Sequence, residues 1–266
     1  MKRFFNILLC IISLFVFAQN VQAKTIEFIQ ISDLHFVLSE SSIKNFEHLI
    51  KSVNSMDNID FVVFTGDNLD KADVQLLEVY LQMCKKLNVP YYIQIGNHDC
   101  LKARGLTKSL YAQKIKENSA QKFDSFNYVV KKGNTVFLFL DGTKELLPTR
   151  SGYFNDETLA WLDKQLTKFA TKNVIIFQHY PLVDESEGSS HNLYQPQKYW
   201  EVLAKHKNVR AIFSGHYHVA REEIVNNVLH VTTPMAKEDV RYIRDVIVID
   251  KGKNKEFDIY SSVLNY

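Results

Sequence analysis

The sequence predicts one α/β domain built on two stacked sheets, and three observations carry that reading. Six apolar runs of strand length each stop at a polar cluster. Helical patterns lie between several of them, and strand-like runs without intervening helices follow towards the C-terminal end. With 266 residues, 46% of them hydrophobic, the chain is long enough to bury a sizeable core.

The first residues stand apart. Met1-Lys2-Arg3 is basic, residues 7–18 are apolar except for Ser13, and Val21-Gln22-Ala23 places small side chains where a signal peptidase cuts. Residues 1–23 therefore read as a secretory signal peptide and 24–266 as the mature domain, exported to the periplasm or secreted. The apolar run falls short of the roughly 20 residues a spanning helix needs, so no membrane anchor is expected after cleavage. Cys10 leaves with the peptide, and Cys84 and Cys100 remain as one disulfide or two buried thiols. Loss of Lys2 and Arg3 takes the basic residues from 32 to 30 against 30 acidic ones. A neutral mature chain has no bulk attraction for nucleic acid polymers.

The strands follow in order. TIEFIQIS leads to Asp33-Leu34-His35, FVVFT to Gly66-Asp67-Asn68, and YYIQI to Gly96-Asn97-His98-Asp99. VFLFL then precedes Asp141-Gly142, VIIFQ precedes His179-Tyr180-Pro181, and VRAIFS precedes Gly215-His216-Tyr217-His218. Apolar residues at three- and four-residue spacing predict helices over 43–55 and 72–87. A third helix is expected after Asn155, where Asn155-Asp156-Glu157 supplies a cap and an acidic first turn. Strands alternating with helices pair in parallel, and ligands collect at the carboxyl ends of such strands, where all six polar clusters fall. Runs at 228–233, 245–250 and 257–261, together with a hairpin over 126–140, are expected to form the second sheet.

The clusters gather particular chemistry. Asp33, His35, Asp67, Asn97, His179, His216 and His218 offer carboxylate oxygen, amide oxygen and imidazole nitrogen, the donors divalent transition metals take, and no thiolate is among them. Seven donors exceed the needs of one catalytic cation with an open position, but suffice for two if a carboxylate bridges. His48, His191, His206 and His230 lie away from strand ends and read as ordinary core or surface residues.

Five blocks in this order, Asp33-x-His35, Gly66-Asp67-x-x-Asp70, Gly96-Asn97-His98-Asp99, His179 and Gly215-His216-x-His218, resemble the calcineurin-like metallophosphoesterase superfamily. The resemblance runs from about Thr25 to the C-terminus. Ser151-Gly152-Tyr153-Phe154 leading to Trp161-Leu162 resembles the turn and helix before the fifth strand of small bacterial members. His35 stands where purple acid phosphatases have a different residue, which brings the chain closer to the phosphodiesterase-like branches.

The resemblance implies a four-layer α/β/β/α sandwich of two mixed sheets flanked by helices. It assigns one cation to Asp33, His35 and His218, another to Asn97, His179 and His216, and makes Asp67 the bridge. The two divalent ions, Mn, Fe or Zn, would share a hydroxide that attacks a phosphodiester or phosphomonoester. It keeps His98 off the cations, as acid for the leaving oxygen or as a phosphate contact, with the Asp70 carboxylate on its other ring nitrogen. Asp99 is expected to brace the loop and Asp141 to play a structural part. A non-catalytic metal- or partner-binding protein on the same scaffold would be marked by missing ligands, and none is missing. A single-metal hydrolase of another bond is the third reading. Substrate choice is left to the rim segments 101–125, 142–153 and 182–198, which carry no signature of a nucleotide or lipid.

Overall fold

The first strand, β1 (Lys24–Ile31), is apolar on both faces, with Ile26 and Phe28 on one and Ile29 and Ile31 on the other, all fully buried. A strand of that kind needs neighbours on both edges and cover on both sides. The computed structural model describes residues 24–119, 124–237, 239–252 and 256–266, and the expected signal peptide lies outside them. In it, β1 is flanked by β2 (Phe61–Thr65), which is parallel, and β10 (Tyr242–Asp250), which is antiparallel. The edges are β3 (Tyr91–Gln94) and β11 (Phe257–Asn265), giving a five-stranded sheet in the order β11-β10-β1-β2-β3.

The second sheet is formed by β4 (Tyr128–Lys132), β5 (Thr135–Leu140), β6 (Asn173–Gln178), β7 (Val209–Ser214), β8 (Arg221–Val225) and β9 (Val228–Thr232). Its order is β4-β5-β6-β7-β9-β8; the inner four strands are parallel and the two edges antiparallel. Helices α1 (Glu40–Asn54), α2 (Val74–Cys84) and α3 (Lys108–Asn118) cover the first sheet, while α4 (Asp156–Lys168) and α5 (Gln197–Ala204) cover the second. The result is the expected four-layer sandwich.

The division of strands differs from the expectation. Of the C-terminal runs only β9 joins the hairpin's sheet; β10 and β11 extend the first, because β1 would otherwise be left as an apolar edge. Asn155 caps α4 as expected, accepting from the Thr158 N–H at 2.8 Å. Two helices, α3 and α5, lie in or beside segments read as rim loops. Each buries only three side chains, Tyr111, Ala112 and Ile115 in α3 and Tyr199, Val202 and Leu203 in α5, too few for a helical period to stand out. Cys84 and Cys100 are both buried free thiols.

Between the sheets lies an aromatic layer centred on Phe28. Its ring stacks on Phe61 at 5.0 Å and meets Phe137, Phe177 and Phe213 edge-on at 5.3–6.0 Å. This layer joins the two sheets that carry the strand-end clusters. Phe28→Ala should lower unfolding free energy by about 3–5 kcal/mol, measured by urea denaturation. A loss below about 1 kcal/mol would contradict the central placement.

Candidate metal centre

The strand-end residues converge from both sheets. Asp33 and His35 follow β1, Asp67 follows β2 and Asn97 follows β3; His179 follows β6, and His216 and His218 follow β7. The loops after β1 and β2 are stitched by Asp33 N–H to Gly66 O at 3.0 Å and His35 N–H to Asp67 O at 2.9 Å. Gly215 N–H to His179 O, at 3.0 Å, does the same in the other sheet. Asp33, His35, Asp67, His216 and His218 all adopt positive φ, between 45° and 71°. That left-handed backbone costs about 1–3 kcal/mol for a non-glycine residue and clusters where surroundings enforce it. Gly96 cannot be replaced cheaply, because a Cβ there would land on Asp67 Oδ1 and 2.7 Å from His179 Nε2.

Each buried carboxylate has one oxygen held by the protein and the other turned to a shared space. Asp33 Oδ2 accepts from Ser32 Oγ at 2.5 Å and from the His216 N–H at 3.0 Å, while Oδ1 faces only His218 Nε2, 3.2 Å away and poorly aligned for a hydrogen bond. Asp67 Oδ1 accepts the His98 N–H at 2.9 Å; Oδ2 faces His179 Nε2 at 3.4 Å and the Nε2 atoms of His35 and His98 at 3.9 Å. Asn97 Oδ1 and His216 Nε2 are also buried without partners. Ligand atoms lie within 4.8 Å of one another in three groups: Asp33, His35 and His218; His35, Asp67 and His98; Asp67, His179 and His216. Unpartnered oxygens among imidazole nitrogens fit divalent cations, since buried polar atoms are otherwise paired.

Electrostatics follows from this crowding. Burial alone would raise the Asp33 and Asp67 carboxyls, but the histidines outweigh it and both end below the usual carboxylate range. Burial would lower His179, yet the Asp67 charge beside it pushes it up to about 9. Its Nδ1–H donates to Thr65 O at 2.9 Å, which turns Nε2 towards Asp67 Oδ2. His216 is driven down to about 3 by burial and then by the charge on His179.

The surroundings hold these groups in place. Asp99 takes N–H bonds from Gly96 (2.8 Å), Leu69 (2.9 Å) and Asn68 (3.3 Å), which braces the loop. Asp141 accepts from Lys108 Nζ at 2.5 Å and ties α3 to the rim. Asp70 differs from the expectation. His98 Nδ1 donates to its backbone carbonyl at 2.6 Å, while the half-exposed carboxylate lies 3.9 Å from His35 Nδ1. Asp70 N–H bonds to Phe36 O at 3.1 Å, which turns the carbonyl towards His98. His191, read as an ordinary core or surface residue, sits with its ring 5.4 Å from that of His216 and its Nδ1 3.5 Å from the Glu185 carboxylate. No strand-end signal marks it, because a folded loop brings it there.

Comparison with known proteins adds the lineage. The model of the calcineurin-like phosphoesterase family matches residues 26–220. The chain belongs to that family. A probable glycerophosphodiester phosphodiesterase from Arcobacter nitrofigilis is 25% identical over 232 residues, covering 80% of this chain and 79% of that protein. A 3',5'-cyclic-nucleotide phosphodiesterase from Nostoc is 23% identical over 215 residues, 77% of this chain and 76% of its own. Among solved structures, a dimetal phosphatase from Danio rerio superposes with a TM-score of 0.65 at 15% identity, over 88% of this chain and 98% of its own, so the two share the fold.

His179 makes the centre's proton balance testable. Its value of about 9 lies above the ordinary 6.5, so its proton stabilises the cation-free fold fully below about pH 6.5. That contribution disappears as pH rises through about 9. Because a cation must displace the proton from Nε2, loading at neutral pH should release at least one proton, and apparent affinity should rise with pH. Calorimetry in two buffers of different ionisation enthalpy measures the release, and identical heats would contradict the Asp67–His179 pairing.

Proposed function

We propose that the protein is an exported, metal-dependent phosphodiesterase working with two divalent cations. One observation carries the reading most: Asp33 Oδ1 and Asp67 Oδ2 look into one buried space lined by imidazoles, 3.2 Å from His218 Nε2 and 3.4 Å from His179 Nε2. Asp33, His35 and His218 would hold one cation, Asn97, His179 and His216 the other, and Asp67 would serve both. Cations there supply Lewis-acid polarisation of the phosphate and a water acidic enough to act near neutral pH. The names of the Arcobacter and Nostoc relatives support a diester substrate.

The chain's own residues do the rest. His98 is fixed by its N–H on Asp67 and its Nδ1–H on the Asp70 carbonyl, so Nε2 is the atom presented to the site. From there it gives a proton to the leaving oxygen. Asp70 acts on His98 through its carbonyl and on His35 through its carboxylate. The buried Asp99 loop keeps Asn97 and His98 in register with Asp67.

Hydrolysis of bis(4-nitrophenyl) phosphate and 4-nitrophenyl phosphate with Mn, Fe or Zn tests the activity, and the diester should be preferred. His98→Ala should keep its cations and lose about 10²–10⁴-fold in turnover, less for esters with very acidic leaving groups. Metal loss as severe as in His179→Ala, or an equal deficit for good and poor leaving groups, would defeat that role. Asp70→Asn should leave the leaving-group dependence unchanged, because the carbonyl remains.

Export rests on the basic start, apolar run and Val21-Gln22-Ala23. Mass spectrometry of the protein from its native host should find Lys24 at the amino terminus; an intact Met1 on most molecules would overturn export by this route.

A further inference from the structure

We infer that Gln30 is a positioning residue that sets the spacing of the two halves of the metal centre. The inference rests on the two-cation reading. The ligands come from two sheets, so the gap between the sheets at the carboxyl end of β1, β2 and β7 sets how far apart the ligand groups stand. Gln30 spans that gap.

Its side chain is fully buried and lies on the face of β1 that looks across to the second sheet. Nε2 donates to Thr65 Oγ1 at 3.0 Å and to Ser214 O at 3.1 Å, and Oε1 accepts from Thr233 Oγ1 at 2.6 Å. Thr65 precedes Gly66-Asp67, Ser214 precedes Gly215-His216, and Gln30 itself lies three residues before Asp33. One amide therefore ties together three ligand-bearing strand ends.

The hydrogens assign themselves in one direction. Arg244 Nε–H donates to Thr233 Oγ1, whose own hydrogen goes to Gln30 Oε1. The amide's two hydrogens go to Thr65 and Ser214, and Thr65 Oγ1–H reaches Ile31 O at 3.4 Å. Rotating the amide by half a turn would set its oxygen against the Ser214 carbonyl, so the orientation is fixed. Thr65 O in turn accepts from His179 Nδ1 at 2.9 Å, which connects the network to a ligand. Arg244, only 1% exposed, also donates to Thr232 O, Ser261 Oγ and Glu222, and so anchors the outer end.

The opposite end of the sandwich supplies a control. There Asp250 on β10 accepts from Thr135 Oγ1 on β5 at 2.8 Å and from Asn173 Nδ2 at 3.1 Å. That bridge joins the same two sheets at the amino end of β1, away from the ligands. It holds the sheets together without touching the centre.

Metal-free full-length mature protein is titrated with Mn²⁺ by calorimetry, with melting temperature and the Mn–Mn coupling seen by electron paramagnetic resonance read in parallel. Gln30→Met, close in length and without the amide, should fold and weaken cation affinity by about 10–100-fold, the usual effect of removing a group that orients ligands. Its Mn–Mn coupling should change as well. Thr233→Val, which leaves Gln30 in place, should give a smaller shift in the same direction. Thr135→Val should lower the melting temperature comparably and bind two cations with wild-type affinity and coupling. Wild-type affinity and coupling in Gln30→Met would overturn the inference, as would equal weakening in Thr135→Val. Wild-type protein that takes up fewer than two cations would overturn the two-cation reading and this inference together.

Discussion

Two carboxylates removed from water and aimed at one space cannot coexist without positive charge between or beside them. Asp33 is fully buried and Asp67 is 2% exposed. Isolated charges in such surroundings are costly enough that they are paired, protonated or bound to metal. Here the imidazoles of His218, His179 and His35 face them at 3.2, 3.4 and 3.9 Å, and the Asp67 charge holds a proton on His179 when no cation is present. Much of the architecture serves to keep these charges together.

The backbone carries part of that burden as strain. Five of the seven donor residues occupy left-handed conformations that glycine would adopt more cheaply, but glycine offers no ligand atom. The cost is offset by what surrounds them: the ladder of Asp33 and His35 N–H groups onto the loop after β2, the Asp99 brace, and aromatic packing beneath. The buried Tyr180 packs against two of the candidate ligands, its ring 4.9 Å from both His179 and His216. The phenylalanine layer fills the middle of the sandwich, and polar bridges cross between the sheets at its two ends.

What could be read from residue order was whatever repeats locally. Five of the six apolar strands ended in Asp, Asn or His residues that announced both the sheet edge and the donors gathered there, and the Asn155 cap announced α4. The pairing of β10 with β1 was not legible, because it depends on which edge would otherwise stay uncovered. Helices α3 and α5 were missed because so few of their side chains are buried. His191 reaches the site through a loop whose fold no short pattern encodes. Asp70 shows a finer limit: residue type suggested a carboxylate partner for His98, while the chain path supplies a carbonyl.

The central claim is that Asp67 stands between two cations. Anomalous diffraction from crystals of the mature protein soaked in Mn²⁺ tests it directly. The account predicts two peaks flanking Asp67 Oδ2, one among Asp33, His35 and His218 and one among Asn97, His179 and His216, with His98 coordinating neither. A single peak, or a peak ligated by His98 Nε2, would contradict it.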